Sequence, residues 1–186
     1  MPRKLRIFSN CAVEKGKTLR VSVLGSGKVG AKDPVYRQAL ELGRVLANEG
    51  YTVCHGGYRG VMEAVAKGCR SGDGHNIAVM IRGASKKANV WAGTRIAMPS
   101  WQARLFKLIE MGDACIFLDG ATGTLTELFV VLEMTNRGLL RKPIIILGKE
   151  LSKLLRELAK DPHFDLPVQL VFVTSVAHAL KQLTKL

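Results

Sequence analysis

Asp113-Ala-Cys-Ile-Phe-Leu118, followed at once by Asp119-Gly-Ala-Thr-Gly-Thr-Leu-Thr-Glu127, is a short apolar run that ends in a glycine-rich turn and opens into a helix. The run has no polar alternation, so it fits a strand buried on both faces, as a parallel sheet requires. Glycine lets the backbone close on an anion, and the following helix offers free N–H groups and the positive end of its dipole. The same pattern occurs twice earlier. Val21-Ser-Val-Leu24 runs into Gly25-Ser26-Gly27, and Tyr51 to Cys54 runs into His55-Gly56-Gly57-Tyr58-Arg59-Gly60. Gly25, Ser26, Gly56, Gly57, Gly60, Gly120, Ala121, Thr122, Gly123 and Thr124 are therefore candidate phosphate- and nucleotide-binding positions. Tight turn geometry alone is the competing account.

Outward from these turns, strands and helices alternate. Asp33-Pro34 opens a helix whose inward face is Ala39, Leu40, Leu42, Gly43, Leu46 and Ala47, and Gly50 closes it. Further helices are expected over Val61–Lys67, Trp101–Glu110, Gly123–Asn136 and Leu151–Ala159, with a last one, capped by Thr174 or Ser175, running to Leu183. Strands are expected at Asn76–Ile81, Pro143–Leu147 and Leu170–Val173. Arg82 to Ala97 has no clear period and reads as a long loop lining a pocket. The expected fold class is α/β, a Rossmann-like doubly wound parallel sheet with helices on both faces, in a single domain. It occupies residues 20–186, after a basic extension, Met1–Leu19, that adds either an edge strand or an ordered arm.

Composition supports one domain of ordinary size: 186 residues, 47% hydrophobic and only 6% aromatic. Cys11, Cys54, Cys69 and Cys115 have neither C-x-x-C pairing nor histidines at zinc spacing, so no metal site is expected. The chain carries no signal-peptide layout and no apolar run of membrane-spanning length, which points to a cytoplasmic protein without a membrane partner. A net charge of +13 favours anionic partners, but Lys and Arg are spread along the chain and no aromatic RNA-stacking motif accompanies them. The charge suits a phosphate ligand better than nucleic acid.

Two side chains are candidates for catalysis. Glu127 lies three residues after Thr124, where a carboxylate facing a ribose would stabilise an oxocarbenium-like transition state. A solvated surface glutamate, or a capping box with Thr124, would fit the same spacing. Arg104, one helix earlier, suits a purine edge or a phosphate. His55 stands at a strand end, either as a general acid or as a hydrogen-bonded turn residue. Trp91 and Trp101 either stack on a base or bury apolar area at a dimer interface.

Gly56-Gly57-x-x-Gly60-Val61-Met62, Arg104, and the nine residues Asp119 to Glu127 resemble the Lonely Guy (LOG) family. That family carries P-G-G-x-G-T-x-x-E after an M-x-x-R-K helix, and the related molybdenum-cofactor carrier proteins share its fold. The likeness spans Val21 to about Pro143 and includes Tyr36 and Lys142. It implies a homodimeric phosphoribohydrolase that cleaves the N-glycosidic bond of a nucleoside 5′-monophosphate, AMP or a modified AMP, to free base and ribose 5-phosphate. It also implies that Arg104 and Glu127 are catalytic, that Met62 joins the glycine turns in holding the nucleotide, and that no cofactor is required. The lysine decarboxylase label attached to many members finds no pyridoxal-phosphate lysine site here.

The sequence departs from the pattern at six positions. Asp119 and Ala121 replace Pro and Gly, Leu105 replaces the Lys after the arginine, Trp101 and Gln102 replace the helix's opening residues, and His55 replaces a glycine. An anion at Asp119 would repel a phosphate, and Ala121 adds a Cβ beside it. These departures motivate an alternative, a non-catalytic carrier or sensor holding a nucleotide or molybdenum cofactor.

Overall fold

Val21, Val23, Val53, Ile116 and Phe117 are wholly buried, and the strands they belong to run side by side through the middle of the molecule. The computed structural model describes residues 18–85 and 87–186, so the expected structure of the N-terminal extension, Cys11 and Lys86 lie outside the described residues. In chain order the elements are β1 (Arg20–Leu24), α1 (Pro34–Asn48), β2 (Thr52–His55), α2 (Val61–Ser71), β3 (Asn76–Ile81), β4 (Thr94–Met98), α3 (Trp101–Met111), β5 (Ala114–Phe117), α4 (Thr122–Asn136), β6 (Ile144–Ile146), α5 (Lys149–Leu158), β7 (Leu170–Phe172) and α6 (Val176–Leu183).

All seven strands pair in parallel, in the order β4-β3-β2-β1-β5-β6-β7. Successive strands move outward one way from β1 to β4, then the chain returns to β1's other side with β5. The reversal leaves a crevice beyond the carboxyl ends of β1 and β5, where a ligand fits such a sheet. Helices α1, α2 and α6 cover one face and share a core with Val21 and Val23. The other face is covered by α3, α4 and α5, packed on Leu24, Phe117 and Ile146. This is the Rossmann-like arrangement expected.

Local chemistry places the helix starts. Asp33 caps α1 by accepting from Val35 N at 2.9 Å, with Pro34 in the first position. Of the two candidate caps for α6, Ser175 acts, accepting from His178 N. Helices α1 and α2 touch backbone to backbone, because a Cβ on Gly43 would overlap Val65 O and one on Gly68 would overlap Leu40 O.

Two readings are corrected. The expected loop Arg82–Ala97 ends in a strand: β4 pairs along β3 from Ile77↔Thr94 to Ile81↔Met98. As a sheet edge it exposes Thr94, Arg95 and Ala97, so only Ile96 and Met98 signal the core. The capping box is also absent. Helix α4 starts at Thr122 with Ala121 at its cap, which places Thr124 inside the first turn and 4% exposed. Cys54, Cys69 and Cys115 are buried free thiols, pushed up by burial to about 12 for Cys54 and about 11 for the other two. They pack as small apolar groups rather than as nucleophiles.

Candidate active site

The β1–β5 crevice opens into a cleft of about 510 Å³, and each of its walls has a local cause. Ser26 ties the end of β1 to both neighbours: its N donates to Asp119 O at 3.1 Å, and its O accepts from Val61 N at 2.8 Å. Its hydroxyl accepts from Lys28 N, which brings Lys28 round to the cleft. On the opposite wall stands the start of α4. Ala121 has no side-chain oxygen to satisfy the first N–H groups, and the helix's own bonding resumes only with Leu125 N donating to Ala121 O. The N–H groups of Thr122, Gly123 and Thr124 thus form an uncapped helix end, suited to an anion.

Ser100 caps α3 by accepting from Ala103 N at 3.1 Å, and the helix then presents Trp101 and Arg104 one turn apart towards the cleft. Arg104 is 7% exposed and held from several sides. Its Nε donates to Val79 O at 3.0 Å and its Nη2 to Gly56 O at 3.2 Å, while the Tyr58 ring lies 5.5 Å from its guanidinium carbon. Gly56 is needed here because a Cβ would overlap the guanidinium. The remaining nitrogen, Nη1, sits 3.7 Å from Glu127 Oε1.

Glu127 comes from the second turn of α4, with its side chain 14% exposed, so it is neither a solvated residue nor a capping one. Burial pushes its carboxyl up to about 7, against the opposing attraction of Arg104. A carboxyl so placed changes charge around neutral pH. Paired with a fixed cation at the mouth of a helix dipole, it can stabilise positive charge developing on a bound sugar.

Gly25, Ser26, Gly56, Met62, Ala121, Thr122, Gly123 and Thr124 line this cleft with Arg104 and Glu127. Gly57, Gly60 and Gly120 do not line it; they shape the turns behind it. Gly60 holds φ at +69°, and a Cβ there would overlap Ser26 O, so no other residue fits. Gly57 N donates to His55 Nδ1, and Gly120 packs against Thr124.

Asp119 does not face the expected phosphate position. Its Oδ1 accepts from Leu151 N at 2.9 Å, which makes it a cap for α5 on the far side of the turn. Ala121 has extended backbone angles, φ −101° and ψ −159°, that any residue adopts. His55 is fully buried between Gly57 N and Asn76 Oδ1, and burial lowers it to about 4, so it is a neutral turn residue and not a general acid. Trp101 lies on the cleft, whereas Trp91 lies under the Lys67 amino group at 5.4 Å. Tyr58 and Lys28 are cleft residues that sequence reasoning passed over; Tyr58 stands inside the second glycine turn and Lys28 directly after the first, which was the available signal. Among the described residues no His, Cys, Asp or Glu cluster could hold a metal ion.

Known proteins carry the same framework. An uncharacterized protein of Archaeoglobus fulgidus is 34% identical over 135 residues, covering 71% of this chain and 86% of its own length. A probable cytokinin riboside 5′-monophosphate phosphoribohydrolase of Oryza sativa, LOGL5, is 29% identical over 132 residues. That match covers 69% of this chain, and the chain spans little more than half, 54%, of the rice protein. Among solved structures, the molybdenum cofactor binding protein of Rippkaea orientalis superposes with a TM-score of 0.75 at 22% identity, over 91% of this chain and 98% of that one. That likeness is one of fold. The crevice at the strand reversal, the uncapped α4 and the family model that matches residues 18–178 agree, and the chain belongs to the SLOG cluster4 family.

Proposed function

We propose that the protein hydrolyses the N-glycosidic bond of a nucleoside 5′-monophosphate, giving free base and ribose 5-phosphate. The observation that carries this reading is the buried Arg104–Glu127 pair, 3.7 Å apart, beside an uncapped helix N-terminus in one cleft. The phosphate occupies the start of α4, with Lys28 adding a positive charge. The ribose then lies over Glu127 and the base over Arg104, Tyr58 and Met62. As the C1′–N bond breaks, its electron pair leaves with the base and positive charge grows on the sugar. Carboxylate Glu127 stabilises that charge, and Arg104, fixed by two carbonyl groups, donates to the departing base. Water adds its oxygen to C1′, and its proton completes the base. The activity of the rice relative supports this reaction type. The apolar face of α3 and α4 suits a second copy of the chain.

Incubation with AMP, GMP, CMP and UMP, with chromatography for free base, tests the reading. Release from at least one, cut roughly a hundredfold or more in Glu127→Gln, is expected; an inactive wild-type protein would overturn it. The second reading, a carrier that holds a nucleotide or molybdopterin-type cofactor uncleaved, follows the Rippkaea neighbour and predicts tight AMP binding without release. Its sequence motive is weaker now, since Asp119 is spent on α5 and Ala121 is unstrained.

A further inference from the structure

Asn89 is a buried polar residue, 8% exposed, that the chemistry above leaves unused. Its Nδ2 donates to Gly57 O at 3.1 Å and Tyr58 O at 2.9 Å, and its Oδ1 accepts from Trp91 N at 3.0 Å. Behind it, Asn76 donates to Trp91 O and accepts from Gly93 N, and its Oδ1 also meets His55. The connection from β3 to β4 is thereby fastened to the glycine turn after β2. A buried network with every partner supplied is rigid.

These two fastened segments, with Met62 and Glu63 of α2, line a second, solvent-open cavity of about 810 Å³, larger than the active-site cleft. Gly27, Tyr58, Met62 and Ser85 line both, so the two are continuous. None of the four comes from α4. Tyr58 and Met62 are the residues placed under the base, so the second cavity opens beside the base rather than beside the α4 helix end.

We propose that this cavity is a substrate subsite for an acidic substituent carried on the nucleotide base. The inference rests on the phosphoribohydrolase reading, which sets the nucleotide's direction. Arg59 and Lys87 line the cavity against one carboxylate, Glu63, leaving it net positive. A bare purine would leave the space unfilled, and a substituent without charge would leave the excess positive charge, beyond what Glu63 offsets, without a partner in the ligand.

The test uses calorimetric binding to the Glu127→Gln protein, in which cleavage is blocked, with three probes. They are AMP, N6-(1,2-dicarboxyethyl)-AMP and N6-isopentenyl-AMP. The dicarboxyethyl compound is expected to bind about tenfold more tightly than the other two, from two partly exposed charge contacts. Adding Arg59→Ala and Lys87→Ala should erase that preference and leave AMP affinity within about twofold. Equal affinities, an isopentenyl preference, a preference that survives the two alanines, or a matching loss of AMP affinity would each overturn the subsite. Those results leave the main cleft's reading standing, whereas a wild-type protein inactive on all four monophosphates removes both.

Discussion

Glu127 is the residue on which function and stability pull in opposite directions. Its carboxyl titrates at about 7 in the folded protein because burial outweighs the attraction of Arg104. Only the anion can stabilise a sugar cation, so base release should rise with pH through about 7 and then level off, as a pH–rate profile would record. Glu127→Gln should lower kcat by roughly a hundredfold or more and flatten that limb. The stability sign is the reverse. Between the ordinary carboxyl pKa of 4.5 and about 7, the folded state holds the proton and the unfolded chain has lost it. Folding is therefore penalised increasingly as pH rises through that window, by on the order of 3 kcal/mol once it is passed. Glu127→Gln should match the wild-type Tm near pH 4 and exceed it at pH 8 in thermal melts; a lower Tm at pH 8 would contradict this. The spacing of Arg104 and Glu127 was legible in the sequence, but not their burial. That comes from α3 and α4 sharing one core on the same face of the sheet, a tertiary fact that spacing does not encode.

At the scale of elements, the turn after β5 shows how one residue serves a neighbouring helix. Asp119 accepts from Leu151 N in the first turn of α5, whose own cap, Gly148, has no side chain to offer. Asp119→Ala should therefore cost about 1 kcal/mol in urea denaturation and leave base release within about twofold of wild type. A large loss of activity with little loss of stability would return Asp119 to the phosphate site. Sequence reasoning could not see this, because the direction of a side chain in a turn depends on which helix follows three elements along. The buried strands were legible for the opposite reason: Ala114 to Phe117 and, apart from Ser22, Val21 to Leu24 are apolar runs without polar alternation, and no other element suits runs so short. Strand β4 was not, since an edge strand keeps polar residues outward and loses the signal.

At the scale of the whole molecule, α3 and α4 leave an apolar face exposed. Phe106, Leu125, Phe129, Val130, Met134 and Leu139 line an apolar groove of about 800 Å³ across them, with Phe106 43% and Leu139 69% exposed. The groove starts at Thr122, so it adjoins the helix end that would hold the phosphate. An isologous pair of chains would bury both copies of this face and stiffen α4 beneath Glu127. Sedimentation velocity should give a two-chain species, and Phe106→Glu, on an already exposed side chain, should give folded monomers. The charge makes the prediction sharper. Each chain carries a net +13, so two chains repel one another at a distance, and added salt should strengthen the dimer by screening that repulsion. Binding of a nucleic acid by the same charges would weaken as salt rises. A wild-type monomer at all salt concentrations would leave the groove without this partner.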